Sequence, residues 1–233
     1  LRTGLELDRI ERFDDGDDGP WIAIYKQEST GVEFSLIPGG VLAMGSKGGY
    51  SNQRPVKNVS LYPFLLARHE VSSGVYDEHR KRQVGTNVLF PNRPAQGVFH
   101  NSALTWCTDL GMNLPTEAQW EWAALGARPN RKVTCMASQP QDVDSGPANP
   151  FGLLNIYDNV AEWCLDAYLD YSVEPIANSG QRLGENAAEG FVYRGGSFEF
   201  ELNTGAKRRR FSKVGAPQTG FRSAINLVSN PKN

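Results

Sequence analysis

Few residues in this chain are of a type and spacing that could do chemistry, and their spacing excludes more than it allows. Three cysteines, Cys107, Cys135 and Cys164, are the only thiols. No two of them have CxxC spacing, which sets aside a structural zinc site and a thioredoxin-type redox pair. At most one disulfide can form, with one thiol left over. The alternative is that Cys107 and Cys164, beside Trp106 and Trp163, are buried core residues. His69, His79 and His100 show neither HxxxH nor HxH spacing, so they make no three-histidine metal centre. Asp14–Gly19 is a concentrated acidic run, but it lacks the alternating ligands and twelfth-position Glu of an EF-hand and reads as a solvated arm or turn. Lys207-Arg-Arg-Arg210 is the sharpest charge run. It reads as a solvated basic face or as a local patch for an acidic partner or anionic ligand.

The elements that must position these residues are short. Trp21–Tyr25 and Val32–Ile37 alternate apolar and polar residues and predict strands, the second closed by Pro38-Gly-Gly40. Val41–Met44 predicts another, and Val56–Phe64 a single strand alternating around Val59 and Leu61. Three helices are expected. The first is capped by Ser72 or Ser73 and runs through Tyr76 and His79 to a stop at Gly85. Asn101 or Ser102 starts the second, with Leu104, Cys107 and Leu110 on one face before Gly111. In the third, Thr116-Glu-Ala-Gln119 is a capping box, Trp120, Ala123 and Ala124 follow at helical spacing, and Gly126 lies past the end. Beyond residue 127 the clear strands are Phe191–Arg194 and Phe221–Leu227, separated by stretches rich in Pro, Gly, Asn and Asp.

The 233 residues carry 24 Lys+Arg against 26 Asp+Glu, a net charge of −2 that lacks the basic excess of a nucleic-acid binder. A hydrophobic fraction of 39% with 21% charged residues excludes a mostly disordered chain. No apolar run approaches the roughly 18 residues of a membrane span. With 24 Gly and 14 Pro the fold should be loop-rich, and long loops in a compact domain need anchors. The five tryptophans, at 21, 106, 120, 122 and 163, are read as core anchors. The pattern predicts one α+β domain with few helices, short antiparallel strands and long ordered loops. Residues 1–29 form a polar arm and a first strand, and 30–230 form the domain proper.

Several segments, in order, resemble a known family. They are Phe34–Gly45 (Phe-Ser-Leu-Ile-Pro-Gly-Gly-Val-Leu-Ala-Met-Gly), Glu70–Tyr76, Leu114–Ala124 (Leu-Pro-Thr-Glu-Ala-Gln-Trp-Glu-Trp-Ala-Ala), Asn149–Trp163, Tyr193–Phe198 and Thr219–Arg222. Together, over roughly residues 30–228, they resemble the formylglycine-generating enzymes, or sulfatase-modifying factors. The resemblance implies an elaborated C-type-lectin-like fold with little regular secondary structure.

The resemblance does not carry the family's chemistry with it. The family's oxidase binds copper through two cysteines, and the matching positions here are Phe200 and Gly205. No cysteine follows residue 164, so no copper is expected and the formylglycine-generating reaction is not. The iron-dependent, ergothioneine-type branch needs a further helical domain and histidines that this chain lacks. A branch that matures pyoverdine siderophores in the periplasm also lacks the cysteine pair and depends on a glutamate. Glu199 and Glu201 stand in that segment and are the alternative catalytic candidates, solvated strand carboxylates being the plainer explanation.

By resemblance, Asn159, the Val160 carbonyl and Glu162 would hold a structural calcium ion, a hard cation suited to oxygen ligands. The competing expectation is that Glu162 pairs with an arginine. Lys207, Arg208, Arg209 and Arg210 would line the groove that holds a peptide in the resembling enzymes, implying a protein or peptide partner of acidic character. Retroelement-diversified binding proteins share the fold, but residues 198–219 lack the Asn and aromatic enrichment of their variable tails. The expectation is therefore a catalytically silent, exported binding or regulatory module. Accessory regulators upstream of a type VI secretion kinase are the comparison, and a copper-independent oxidase of the pyoverdine-maturation type is the alternative. The start at Leu1, without Met or signal peptide, fits a processed, periplasmic product.

Overall fold

Alternating apolar residues organise the first 67 residues around one antiparallel sheet. Strands β1 (Leu5–Arg12), β2 (Trp21–Gln27) and β3 (Glu33–Ile37) pair in succession. The turn from β2 to β3 is closed by Gly31, whose φ of +71° favours a residue without Cβ. β4 (Gly40–Met44) and β5 (Lys57–Leu61) make a separate two-stranded ribbon, and β6 (Phe64–Ala67) returns to pair with β3. Three helices follow, α1 (Ser73–Arg80), α2 (His100–Asp109) and α3 (Glu117–Leu125). The chain ends with β7 (Ala161–Ala167), β8 (Phe191–Arg194), β9 (Arg209–Phe211), β10 (Thr219–Gly220) and β11 (Ala224–Asn226). The computed structural model describes residues 4–13, 19–48, 51–80, 89–126, 139–183, 190–197, 209–211 and 217–228.

Two sheets carry the architecture. The larger has the order β1-β2-β3-β6-β11 and is antiparallel throughout. The other has the order β10-β7-β8-β9, in which β10 and β7 run parallel and the remaining pairs antiparallel. Trp106, Trp163, Phe34 and Phe221 centre one apolar cluster, and Trp120, Phe151, Ile24 and Ile37 a second. Of the five tryptophans, 106, 120 and 163 are buried and serve as anchors, while Trp21 is 68% exposed on the edge of the large sheet. Truncating a fully buried Trp costs about 3–5 kcal/mol, so these rings hold much of the loop-rich half in place.

Helix α3 forms as its capping box predicts. The Gln119 N–H donates to Thr116 Oγ1 at 3.1 Å, and the Thr116 N–H donates to Gln119 Oε1 at 2.9 Å. Gly126 ends the helix at φ +57°, where a Cβ would also press on Pro150 at 3.0 Å.

Elsewhere the elements differ from the expectation for physical reasons. Leu5–Arg12, expected within a polar arm, is a strand bonded to β2, although most of its side chains face solvent. Val56–Phe64 is not one strand. Pro63, which has no N–H to give a ladder, separates β5 from β6, and the Tyr62 N–H donates instead to Asn178 O. Of Phe221–Leu227 only Ala224–Asn226 is a strand, β11; Phe221–Ser223 is the crossing from β10, which precedes it in the other sheet. β7 was not expected because it is buried on both faces and shows no alternation. α2 starts at His100, earlier than Asn101 or Ser102, with Phe99 as an N-cap that supplies no side-chain bond. Gly85 and the acidic residues 14–18 lie outside the described residues.

Candidate functional site

The charged side chains that matter most are inside the molecule, and α3 lies between them. On one side, Arg194 at the end of β8 donates from Nη1 to Glu117 Oε1 at 3.0 Å and from Nη2 to Glu121 Oε2 at 2.6 Å. Glu117 and Glu121 are four apart on α3, where like charges repel unless a cation stands between them. Tyr171 Oη adds a third bond to Glu117 Oε1 at 2.9 Å. Asp166 of β7 accepts the Glu117 N–H at the start of α3 and the Arg182 N–H, both at 2.7 Å. Asp166 is fully buried and also feels Glu117, and its carboxyl is pushed up to about 7. Burial pushes the Glu121 carboxyl up as well, against the pull of Arg194.

On the other side, Arg222 grips Glu162 of β7. Its Nε donates to Oε2 at 2.7 Å and its Nη2 to Oε1 at 2.6 Å. Remaining Arg222 donors reach the carbonyls of Ala67, Arg68 and Leu154 at 2.9–3.1 Å. Trp120 of α3 donates its indole N–H to Glu162 Oε2 at 2.7 Å. Both ionic side chains are shut from solvent. Beside them Glu70 is completely buried, and neither of its oxygens accepts a well-formed hydrogen bond, although the Asn159 amide lies near enough to hold the carboxyl down slightly. Burial is the leading cause that pushes Glu70 up to about 8, with the Glu162 charge adding to it and Arg222 opposing. Glu70 is therefore held toward its neutral, protonated form.

These groups frame the turn that follows β8. Gly195, at φ +85°, and Gly196, whose N–H donates to Tyr157 O at 2.9 Å, carry the chain out of the Arg194 clamp. Nearby, His100 stacks on Phe191 with ring centroids 3.6 Å apart and lies within hydrogen-bond reach of Cys164 O through Nε2, at 2.9 Å. Burial lowers its pKa, which keeps the ring neutral at pH 7. The arrangement places no free nucleophile beside a base among the described residues.

The expected site residues fall into three groups. Glu199, Glu201, Lys207 and Arg208 lie outside the described residues. Arg209 and Arg210 are in β9, opposite Tyr193 and Val192 of β8, so that part of the basic run belongs to the same sheet as Arg194. Asn159, Val160 and Glu162 are described, and the side chains of Asn159 and Glu162 are engaged by protein groups. Both Glu162 oxygens are held by a guanidinium, which repels a second cation. Asn159, at φ +66°, uses its side chain as a two-point clamp: Oδ1 accepts the Gln141 N–H at 2.9 Å and Nδ2 donates to Gln141 O at 3.3 Å. Val160 is buried beside them. Among the described residues no three His, Cys, Asp or Glu side chains cluster as a metal centre. Glu162 has an arginine partner, Arg222.

Sequence reasoning missed the functions of Glu70, Glu117, Asp166, Arg182, Arg194 and Arg222. A signal was present, since Arg194 and Arg222 each end an apolar stretch, Phe191–Arg194 and Gly220–Arg222, where an unpaired cation would be prohibitive.

Comparison with known proteins agrees with this frame. The family model for the sulfatase-modifying factor enzyme 1-like domain matches residues 23–139 and 129–227. The formylglycine-generating enzyme of Thermomonospora curvata is 30% identical over 279 residues, covering 82% of this chain and 92% of that protein. The serine/threonine-protein kinase pkn1 of Chlamydia caviae is 28% identical over 234 residues, covering 83% of this chain. The chain spans only 38% of that kinase's length. Among solved structures, PvdO from Pseudomonas aeruginosa superposes with a TM-score of 0.76 at 18% identity, over 95% of this chain and 99% of that one. Treponema denticola variable protein 1 gives 0.67 at 22% identity, over 83% and 95%. This chain belongs to the sulfatase-modifying factor enzyme 1-like family and has its α+β, C-type-lectin-like fold.

Proposed function

We propose that the protein is a catalytically silent binding or regulatory module on the sulfatase-modifying-factor scaffold. It acts outside the cytoplasm on a protein or peptide partner, in a kinase-linked pathway such as the one upstream of type VI secretion. The observation that carries this reading is the placement of the thiols. Cys107 and Cys164 are buried and unpaired, and burial pushes both thiols far above neutrality, so neither is a thiolate at pH 7. Cys135 lies outside the described residues, and the positions that match the family's copper thiolates are Phe200 and Gly205. Similarity to part of a chlamydial serine/threonine-protein kinase supports the kinase link. Arg209 and Arg210, paired through β9 with the clamped β8, together with their sequence neighbours Lys207 and Arg208, are the residues proposed to meet the partner.

The test is a crosslinking experiment with the periplasmic domain of a secretion kinase from the same genome. Capture that is lost when Arg208, Arg209 and Arg210 are reversed to Glu supports the module. Consumption of dioxygen with a siderophore precursor, abolished by Glu199→Gln or Glu201→Gln, would replace it with the copper-independent oxidase.

A further inference from the structure

A cavity of about 320 Å³ opens between α1 and α2, on residues that neither buried ionic network uses. Tyr76 and His79, three apart on α1, form one wall. Ser102, Thr105 and Asp109 stand at helical spacing along α2 and form the other, all three exposed. Between the walls lies Trp106, packed against Tyr76 and His79 with ring centroids 6.4 and 6.1 Å apart.

Among the described residues that line the cavity, the one fixed charge is the Asp109 carboxylate; the Arg80 side chain and residues 81–88, which follow His79, lie outside the described residues. Asp109 is the last residue of α2, at the negative pole of the helix dipole, where a carboxylate is destabilising and a cation is stabilising. No basic residue in the last turn of α2 offsets it. His79 Nε2 approaches Asp109 Oδ2 only to 3.7 Å, which is too long for a hydrogen bond, and Asp109 stays 57% exposed at its side chain. A negative pole, a carboxylate, two hydroxyl acceptors and an aromatic wall thus converge on one space.

We propose that this cavity binds an alkylammonium group. The ammonium pairs with Asp109 and donates to the Ser102 and Thr105 hydroxyls, while its methylene stem lies along Tyr76 and Trp106. The same chemistry could come from a free amine or from a lysine side chain. The site is separate from the proposed function, and its failure leaves that reading untouched.

Isothermal titration with cadaverine and with Nα-acetyl-lysine methylamide tests it, with glucose and butyrate as neutral and anionic controls. Saturable binding of either amine, weakened about two- to fivefold by Asp109→Asn and by Thr105→Val, with a Tm for Asp109→Asn no lower than the wild type's, supports the proposal. Equal binding of both amines identifies the free amine as sufficient, and binding of the capped lysine alone points to a peptide source. The proposal is overturned if neither amine binds, if Asp109→Asn binds as well as the wild type, or if glucose or butyrate competes equally.

Discussion

Arg222 and Glu162, 60 residues apart in the chain, meet as a two-point fork with bonds of 2.7 and 2.6 Å. The pair joins the crossing segment between β10 and β11 to the start of strand β7, and Trp120 fastens α3 to the same carboxylate. Removing one member of such a pair leaves a buried charge without its partner, which costs far more than removing both.

Glu162→Gln and Arg222→Met should each lower stability by about 3–5 kcal/mol, whereas the double replacement should cost less than the sum of the two. Urea midpoints at constant slope measure this. The same series separates an arginine partner from calcium. The loss in Glu162→Gln should be equal with calcium and with EDTA, and a loss that disappears in EDTA would return a cation to Glu162.

Glu70 makes stability depend on pH in a direction opposite to the usual surface carboxylate. Its folded pKa of about 8 lies above the ordinary value of 4.5. Between those values the unfolded chain gives up the proton and the folded chain keeps it, so stability falls as pH rises through the window. Above about 8 the penalty is complete and the slope levels. The buried His100 and His69, whose pKa values are lowered, act in the opposite direction near the ordinary imidazole value of about 6.5, and that contribution fades within about one pH unit above it. Urea midpoints from pH 6.5 to 8 should therefore decline in the wild type, by at most about 1.4 kcal/mol per pH unit from this group. Asp166, pushed up to about 7, contributes in the same direction over the lower part of that range. Glu70→Gln, neutral at every pH, should have a shallower decline.

Thr116 serves α3 twice, since its Oγ1 accepts the Gln119 N–H and donates to Ser179 O at 2.7 Å. Thr116→Ala should cost about 1–2 kcal/mol, at the upper end for an N-cap, and Thr116→Ser should recover most of it. Thermal melts of the three proteins check the order.

The thiols offer a chemical readout. Cys107 and Cys164 are inaccessible and protonated, so native protein should release no more than one equivalent of thionitrobenzoate from Ellman's reagent, and unfolded protein three. A second reactive thiol in the native state would show that one of these two cysteines is reachable.

Local pattern alone determined a good part of this protein. The capping box Thr116–Gln119, the Gly126 stop and the alternation in β2 to β4 are contacts among near neighbours, and they form wherever the chain places them. The absence of a cysteine after residue 164 was equally legible, because it needs no geometry. Only the tertiary structure decided the rest. β7 shows no alternation because it is covered on both faces, so nothing in its own residues distinguishes strand from buried helix. The break at Pro63 and the late start of β11 at Ala224 follow from which sheet the neighbouring residues join. That Arg222 meets Glu162 was equally a matter of the fold, since the two lie 60 residues apart in the chain and nothing local to either names the other.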